Sequence, residues 1–92
     1  MMLGYAIVRK DGSFVDGNLP AHIDRDRFCI MCAASYGAAF TAEKEIQGEV
    51  LELIIKSNAY TIIILPTKKG ELLVIIGDEE DAEKMRNKVD KE

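Results

Sequence analysis

Cys29-Ile30-Met31-Cys32 is the one stretch of this chain with the spacing of a reactive thiol pair. Redox pairs of this form sit at the exposed N-terminus of a helix that follows a strand, where the helix dipole stabilises the thiolate. Here the pair lies more than a turn inside an apolar run that begins after Asp24, and Asp26 nearby opposes thiolate formation. It reads as small core side chains, with a redox pair and a zinc site shared between two copies as the alternatives. His22, the single histidine, stands on a loop with no second ligand and no placed nucleophile, so it reads as a solvated loop residue. Ser13, Ser35 and Ser57 lack a G-x-S-x-G context, and neither G-x-G-x-x-G nor G-x-x-x-x-G-K-[ST] occurs. No catalytic residue, metal or cofactor is therefore expected, and the chain does not read as an enzyme.

The elements that hold these residues are more informative. Phe28 to Ala42, FCIMCAASYGAAFTA, carries no charge and is apolar on every side of a helix. That is shorter than the roughly 20 residues a membrane-spanning helix needs. A helix apolar all round must be covered on two sides, and a chain of 92 residues has little material to do so. A partner molecule is the expected cover.

Composition bounds the rest. With 48% hydrophobic and 30% charged residues, the chain reads as a single globular domain spanning 1–92. A net charge of -4, with basic pairs scattered as Arg9-Lys10, Arg25/Arg27 and Lys68-Lys69, argues against nucleic acid. Met1-Met2 lead straight into a strand-like run without the parts of a secretory signal, which points to the cytoplasm, to reduced thiols and to no membrane insertion.

Along the chain, LGYAIV (Leu3 to Val8) is followed by Asp11-Gly12, the turn chemistry of a hairpin that returns through Phe14 and Val15. Asp24 is placed to cap a helix that runs to a stop at Gly48. Three runs follow, Val50 to Lys56, Tyr60 to Leu65 and Glu71 to Ile76, with separations short enough for an antiparallel meander. The last two are apolar on both faces and should be central, whereas Glu52 and Lys56 place the first nearer an edge. Asp78 to Glu92 is polar with Ala82, Met85 and Val89 at helical spacing, as for a terminal helix on the other face of the sheet. The order is β-β-α-β-β-β-α, an α+β class.

At about 100° per residue, Phe28, Cys32, Ser35, Ala39, Ala42 and Ile46 form one stripe of the long helix, assigned to the sheet. Opposite lie Ile30, Ala33, Ala34, Gly37 and Thr41, mostly small, flanked by Cys29, Tyr36 and Phe40. Small residues let two helix backbones approach closely, so a second copy of the same helix is the simplest symmetric cover.

The hairpin with Asp11-Gly12, then LPAHIDRDRFCIMCAASYGAAFTAEKE, then VLELIIKSNAYTIIILPTKKGELLVIIGD resembles the Roadblock family related to dynein light chains. The resemblance covers Leu3 to Asp78 and rests on apolar and small-residue patterning without a catalytic signature. It implies a five-stranded antiparallel sheet with the long helix on one face and the terminal helix on the other. It also implies a homodimer or heterodimer, with the helix surface around Ile30, Ala33, Ala34, Gly37 and Thr41 and the strand residues Val50, Leu51, Glu52, Leu53, Ile54 and Ile55 at the contact. The function it implies is a non-enzymatic platform that regulates or scaffolds a Ras-like small GTPase or serves in motor or membrane-signalling complexes. Many members begin with an extra helix beside the terminal one, whereas this sequence opens almost directly on its first strand, so part of that sheet face is expected to be open. The alternative function is a small-molecule sensor with a pocket under the long helix.

Overall fold

A computed structural model describes residues 1–90; the final Lys91 and Glu92, part of the expected terminal helix, lie outside the described residues. The elements are β1 (Met2–Val8), β2 (Phe14–Asn18), α1 (Arg25–Glu45), β3 (Leu53–Lys56), β4 (Thr61–Pro66), β5 (Leu72–Gly77) and α2 (Glu79–Asp90). All five strands form one antiparallel sheet in the order β2-β1-β5-β4-β3. The two strands apolar on both faces are interior, β5 at the centre and β4 beside it, and β3 is an edge, as the sequence pattern implies.

Alternation along the strands divides the core into two layers. Leu72, Val74 and Ile76 of β5, with Ile64 of β4 and Ala6 and Val8 of β1, pack beneath α1 against Cys29, Cys32, Ala33 and Tyr36. Leu73 and Ile75, with Ile63 and Leu65, pack on the other face against Ala82, and Met85 and Val89 of α2 close over them. A central strand buried on both faces needs no polar alternation, which is why LLVII reads as an unbroken apolar run.

The β1–β2 turn is fastened by Asp11, whose Oδ1 accepts from the Ser13 amide at 2.9 Å, while the Gly12 amide donates to the Arg9 carbonyl at 2.8 Å. Gly12 has φ +96, and a Cβ there would stand 2.8 Å from the Ile30 Cα. Only glycine therefore lets this turn seat directly on α1. Asp24 caps α1 by accepting from the Arg27 amide at 3.3 Å. The helix ends one residue earlier than Gly48 alone would dictate. Gln47 takes the left-handed conformation, φ 58, and the Gly48 amide donates back to the Glu43 carbonyl at 2.8 Å, closing a Schellman-type stop.

β3 starts later than the expected Val50. Val50 turns into the core beneath α1, Leu51 stands out in solvent, and Glu52 is drawn away to Arg86 of α2, at 2.9 Å. The extended ladder begins only at Leu53, opposite Ile64.

Candidate interaction surface

The arc of α1 that faces the sheet is set by bulk. Tyr36 is the largest side chain buried along the helix, its ring stacked on Phe40 with centroids 6.4 Å apart, and Cys29, Cys32 and Ala33 follow it inward. Burying an aromatic ring removes more apolar surface from water than burying the alanines of the rival stripe, so the helix turns toward Tyr36. The expected helix phase holds in part: Phe28, Cys32 and Ala39 pack toward the sheet as assigned, and the rest is corrected. Ala42 and Ile46, assigned above to the sheet, are exposed, whereas Cys29, Ala33 and Tyr36, assigned to the contact with a second copy, are occupied by the domain's own core.

What remains outward is still apolar. Ile30 is 53% and Met31 60% exposed, and Ala34, Gly37, Ala38, Thr41 and Ala42 continue the arc. Thr41 turns its hydroxyl back to the Gly37 carbonyl at 3.0 Å, leaving its methyl group as the outward feature. A Cβ added at Gly37 would meet nothing within 4 Å, so the groove there is open space over the backbone. Phe40 is partly exposed at its flank, with the Lys44 ammonium 4.6 Å from the ring centroid.

One free edge of the sheet is β3. Ile55 pairs with Ile62 on the α1 face and Ile54 with Ile63 on the α2 face, yet both isoleucines are exposed, as is Leu51 at 80%. The opposite edge, β2, is blunted by an irregularity in its pairing near Val8 and by Asp16, Gly17 and Asn18. β3 carries only Lys56 as a guard, held to Glu79 at 2.6 Å. An unguarded apolar edge is a template for another strand. Of the strand residues expected at a contact, Leu51, Ile54 and Ile55 are available. Val50 is in the core, Leu53 packs half-buried against it, and Glu52 is engaged with Arg86.

The two thiols are enclosed by the domain's own core. Cys29 and Cys32 are 0% and 5% exposed, both free, on the sheet-facing side of α1 rather than its outer face. Burial pushes the Cys32 thiol up to about 12, with the neighbouring Cys29 adding to the rise, and burial raises Cys29 as well. A thiol held protonated is a poor nucleophile at neutral pH. Among the described residues no group of His, Cys, Asp and Glu is arranged to hold a metal ion, and no helix is long and apolar enough to cross a membrane. Under the long helix, the space lined by Lys10, Ala33, Tyr36, Gly37, Phe40 and Leu72 is about 120 Å³, well below the roughly 300–1,000 Å³ of small-molecule sites.

A sheet in the order β2-β1-β5-β4-β3 with one long helix on one face and a terminal helix on the other defines the Roadblock/LC7 type of fold. The chain superposes on a Roadblock/LC7 domain from Streptomyces avermitilis with a TM-score of 0.76 at 12% identity, covering 86% of this chain and 68% of that one. Against Myxococcus xanthus MglB the TM-score is 0.77 at 17% identity, covering 86% and 66%. Against an MglB solved in a tetrameric arrangement it is 0.80 at 15% identity, covering 95% and 70%. The chain thus spans about two thirds of the length of each of these solved chains. No protein-family model matches the sequence, and no curated protein matches it. The likeness is one of fold, and it bears out the architecture read from the sequence.

Proposed function

We propose that this protein is a non-catalytic interaction module that pairs with a second copy of itself and, as a dimer in the cytoplasm, regulates or scaffolds a Ras-like small GTPase. The observation that carries the pairing is the outward arc of α1. Ile30, Met31, Ala34, Gly37 and Thr41 present apolar and small groups to water, and the edge strand β3 separately exposes Ile54 and Ile55. Fully covering a large aliphatic side chain stabilises by about 1.5–3 kcal/mol, and covering the exposed parts of Ile30 and Met31 contributes a share of that toward pairing. The small residues at the centre of the arc allow the two helices a close approach.

The GTPase reading comes from the sequence resemblance and is supported by the fold. A platform of this kind acts by contact, which agrees with buried, protonated cysteines and with a solvated His22. The test is direct binding of purified protein to a panel of Ras-like GTPases loaded with GDP or a non-hydrolysable GTP analogue. Binding to at least one of them that depends on the nucleotide supports the reading. Absence of binding across the panel, together with thermal stabilisation by a metabolite, would favour a ligand sensor.

A further inference from the structure

The face of the sheet that carries α2 ends in a cleft of about 470 Å³ lined by Ile7, Leu65, Leu73 and Val89 on its floor and by Lys68, Lys69 and Glu71 at its rim. Antiparallel pairing of Val8 with Leu72, and of Leu72 with Pro66, brings the β1–β2 and β4–β5 turns to this same end. Arg9 is therefore close in the fold to Lys68 and Lys69, and Lys88 lies in the last turn of α2 next to Val89. Some cations elsewhere in the domain are paired, whereas Lys10, Arg27 and Lys44 form no ion pair among the described residues. Arg25, Lys56, Lys84 and Arg86 each hold a carboxylate. Among the described residues, Arg9, Lys68, Lys69 and Lys88 form no ion pair, although the chain as a whole carries a net charge of -4.

The β4–β5 turn that presents the two lysines is held firmly. The Thr67 amide donates to the Glu71 carbonyl at 2.8 Å and the Gly70 amide to the Thr67 carbonyl at 3.1 Å. The Thr67 hydroxyl accepts from the Lys69 and Glu71 amides, each at 3.2 Å. Its backbone is fixed before any partner arrives, which lowers the ordering cost of binding. The same sheet face already seats one amphipathic helix, α2, through Ala82, Met85 and Val89.

We infer that this end of the sheet docks an acidic amphipathic peptide segment of a partner protein, its apolar side chains in the Ile7–Leu65–Leu73–Val89 cleft and its carboxylates on Lys68, Lys69, Arg9 and Lys88. The unpaired cations around an apolar floor select that occupant by charge complementarity. The site is on the sheet face opposite α1.

The experiment is selection from a random displayed-peptide library against the purified protein, with Lys68→Glu/Lys69→Glu as the comparison and phosphatidylserine vesicles as a second arm. Both lysines are exposed and the turn is held by backbone and Thr67 contacts, so the variant should keep its melting temperature. Expected are peptides of net negative charge with apolar residues at helical spacing that bind the variant at least about tenfold more weakly. No enrichment, enrichment of neutral or basic peptides, or equal binding to the variant would overturn the inference. So would sedimentation with the vesicles when no acidic peptide is enriched, which would assign the cations to a membrane surface.

Discussion

Arg86 of α2 reaches Glu52, in the segment leading to β3, through one Nη1 that lies 2.9 Å from Oε1 and 3.2 Å from Oε2. The two side chains are 20% and 30% exposed, so the pair is better shielded than the other ion pairs of the domain. It fixes how the chain approaches its edge strand and ties that strand to the helix on the far face. A double-mutant cycle with Glu52→Gln and Arg86→Met, read by urea unfolding, should give a coupling of about 0.5–1 kcal/mol. A coupling near zero would mean that the approach to β3 is set by Val50 alone.

Two glycines should respond in opposite ways to the same substitution. Gly12→Ala forces a Cβ into positive φ and against the backbone of Ile30, and should destabilise the domain by about 1–3 kcal/mol. Gly37→Ala enters open space on an exposed helix, where alanine is favoured by about 1 kcal/mol. Any stability lost at Gly37 must then come from a contact outside the single chain, and the loss should shrink on dilution.

Gln47 holds the left-handed position at the end of α1 without the freedom of glycine. That conformation costs an L-residue about 1–2 kcal/mol, against about 0.4–1 kcal/mol gained by restricting the unfolded chain. Gln47→Gly should therefore raise stability by about 0.5 kcal/mol, a rise of roughly 2–4 °C in melting temperature for a domain of this size.

The two thiols should be silent to alkylation at pH 7 in the native state and fully reactive in denaturant. Their pKa shifts also set a pH dependence. Cys32 is raised from 9.0 to about 12 by burial, so the folded state binds its proton more tightly than the unfolded state does. The contribution is complete below pH 9 and is lost between pH 9 and about 12, where the unfolded thiol has ionised and the folded one has not. Cys29 and Tyr36 are raised by burial and act in the same direction. Melting temperature should fall across this window, and Cys32→Ala should make the fall shallower.

Sequence pattern was a good guide wherever one arrangement alone could bury the residues. Ile62 to Leu65 and Leu72 to Ile76 are apolar on both faces, which places β4 and β5 inside the sheet, and the narrow stripe Ala82, Met85, Val89 leaves α2 one way to sit. The phase of α1 was not legible in the same way. Apolar residues occupy every side of that helix, so period alone leaves its rotation open. Contacts from distant segments decide it: the bulk of Tyr36 and the Gly12 turn seated on Ile30. The late start of β3 is hidden for a related reason, since Val50-Leu51-Glu52 continues the strand-like composition but is diverted by the core and by Arg86. The shared end of the sheet for the β1–β2 and β4–β5 turns is not legible in the sequence because it follows only from the antiparallel pairing of β1, β5 and β4.

Sedimentation equilibrium at tens of micromolar, on the wild type and on Gly37→Glu, bears most directly on self-pairing through the outer arc of α1. Position 37 is exposed with room for a larger side chain, so the variant should fold as a single chain with its circular dichroism unchanged. A wild-type dimer that becomes a folded monomer on this one substitution is the expected result. A wild-type monomer, or a dimer indifferent to a carboxylate at position 37, would contradict it.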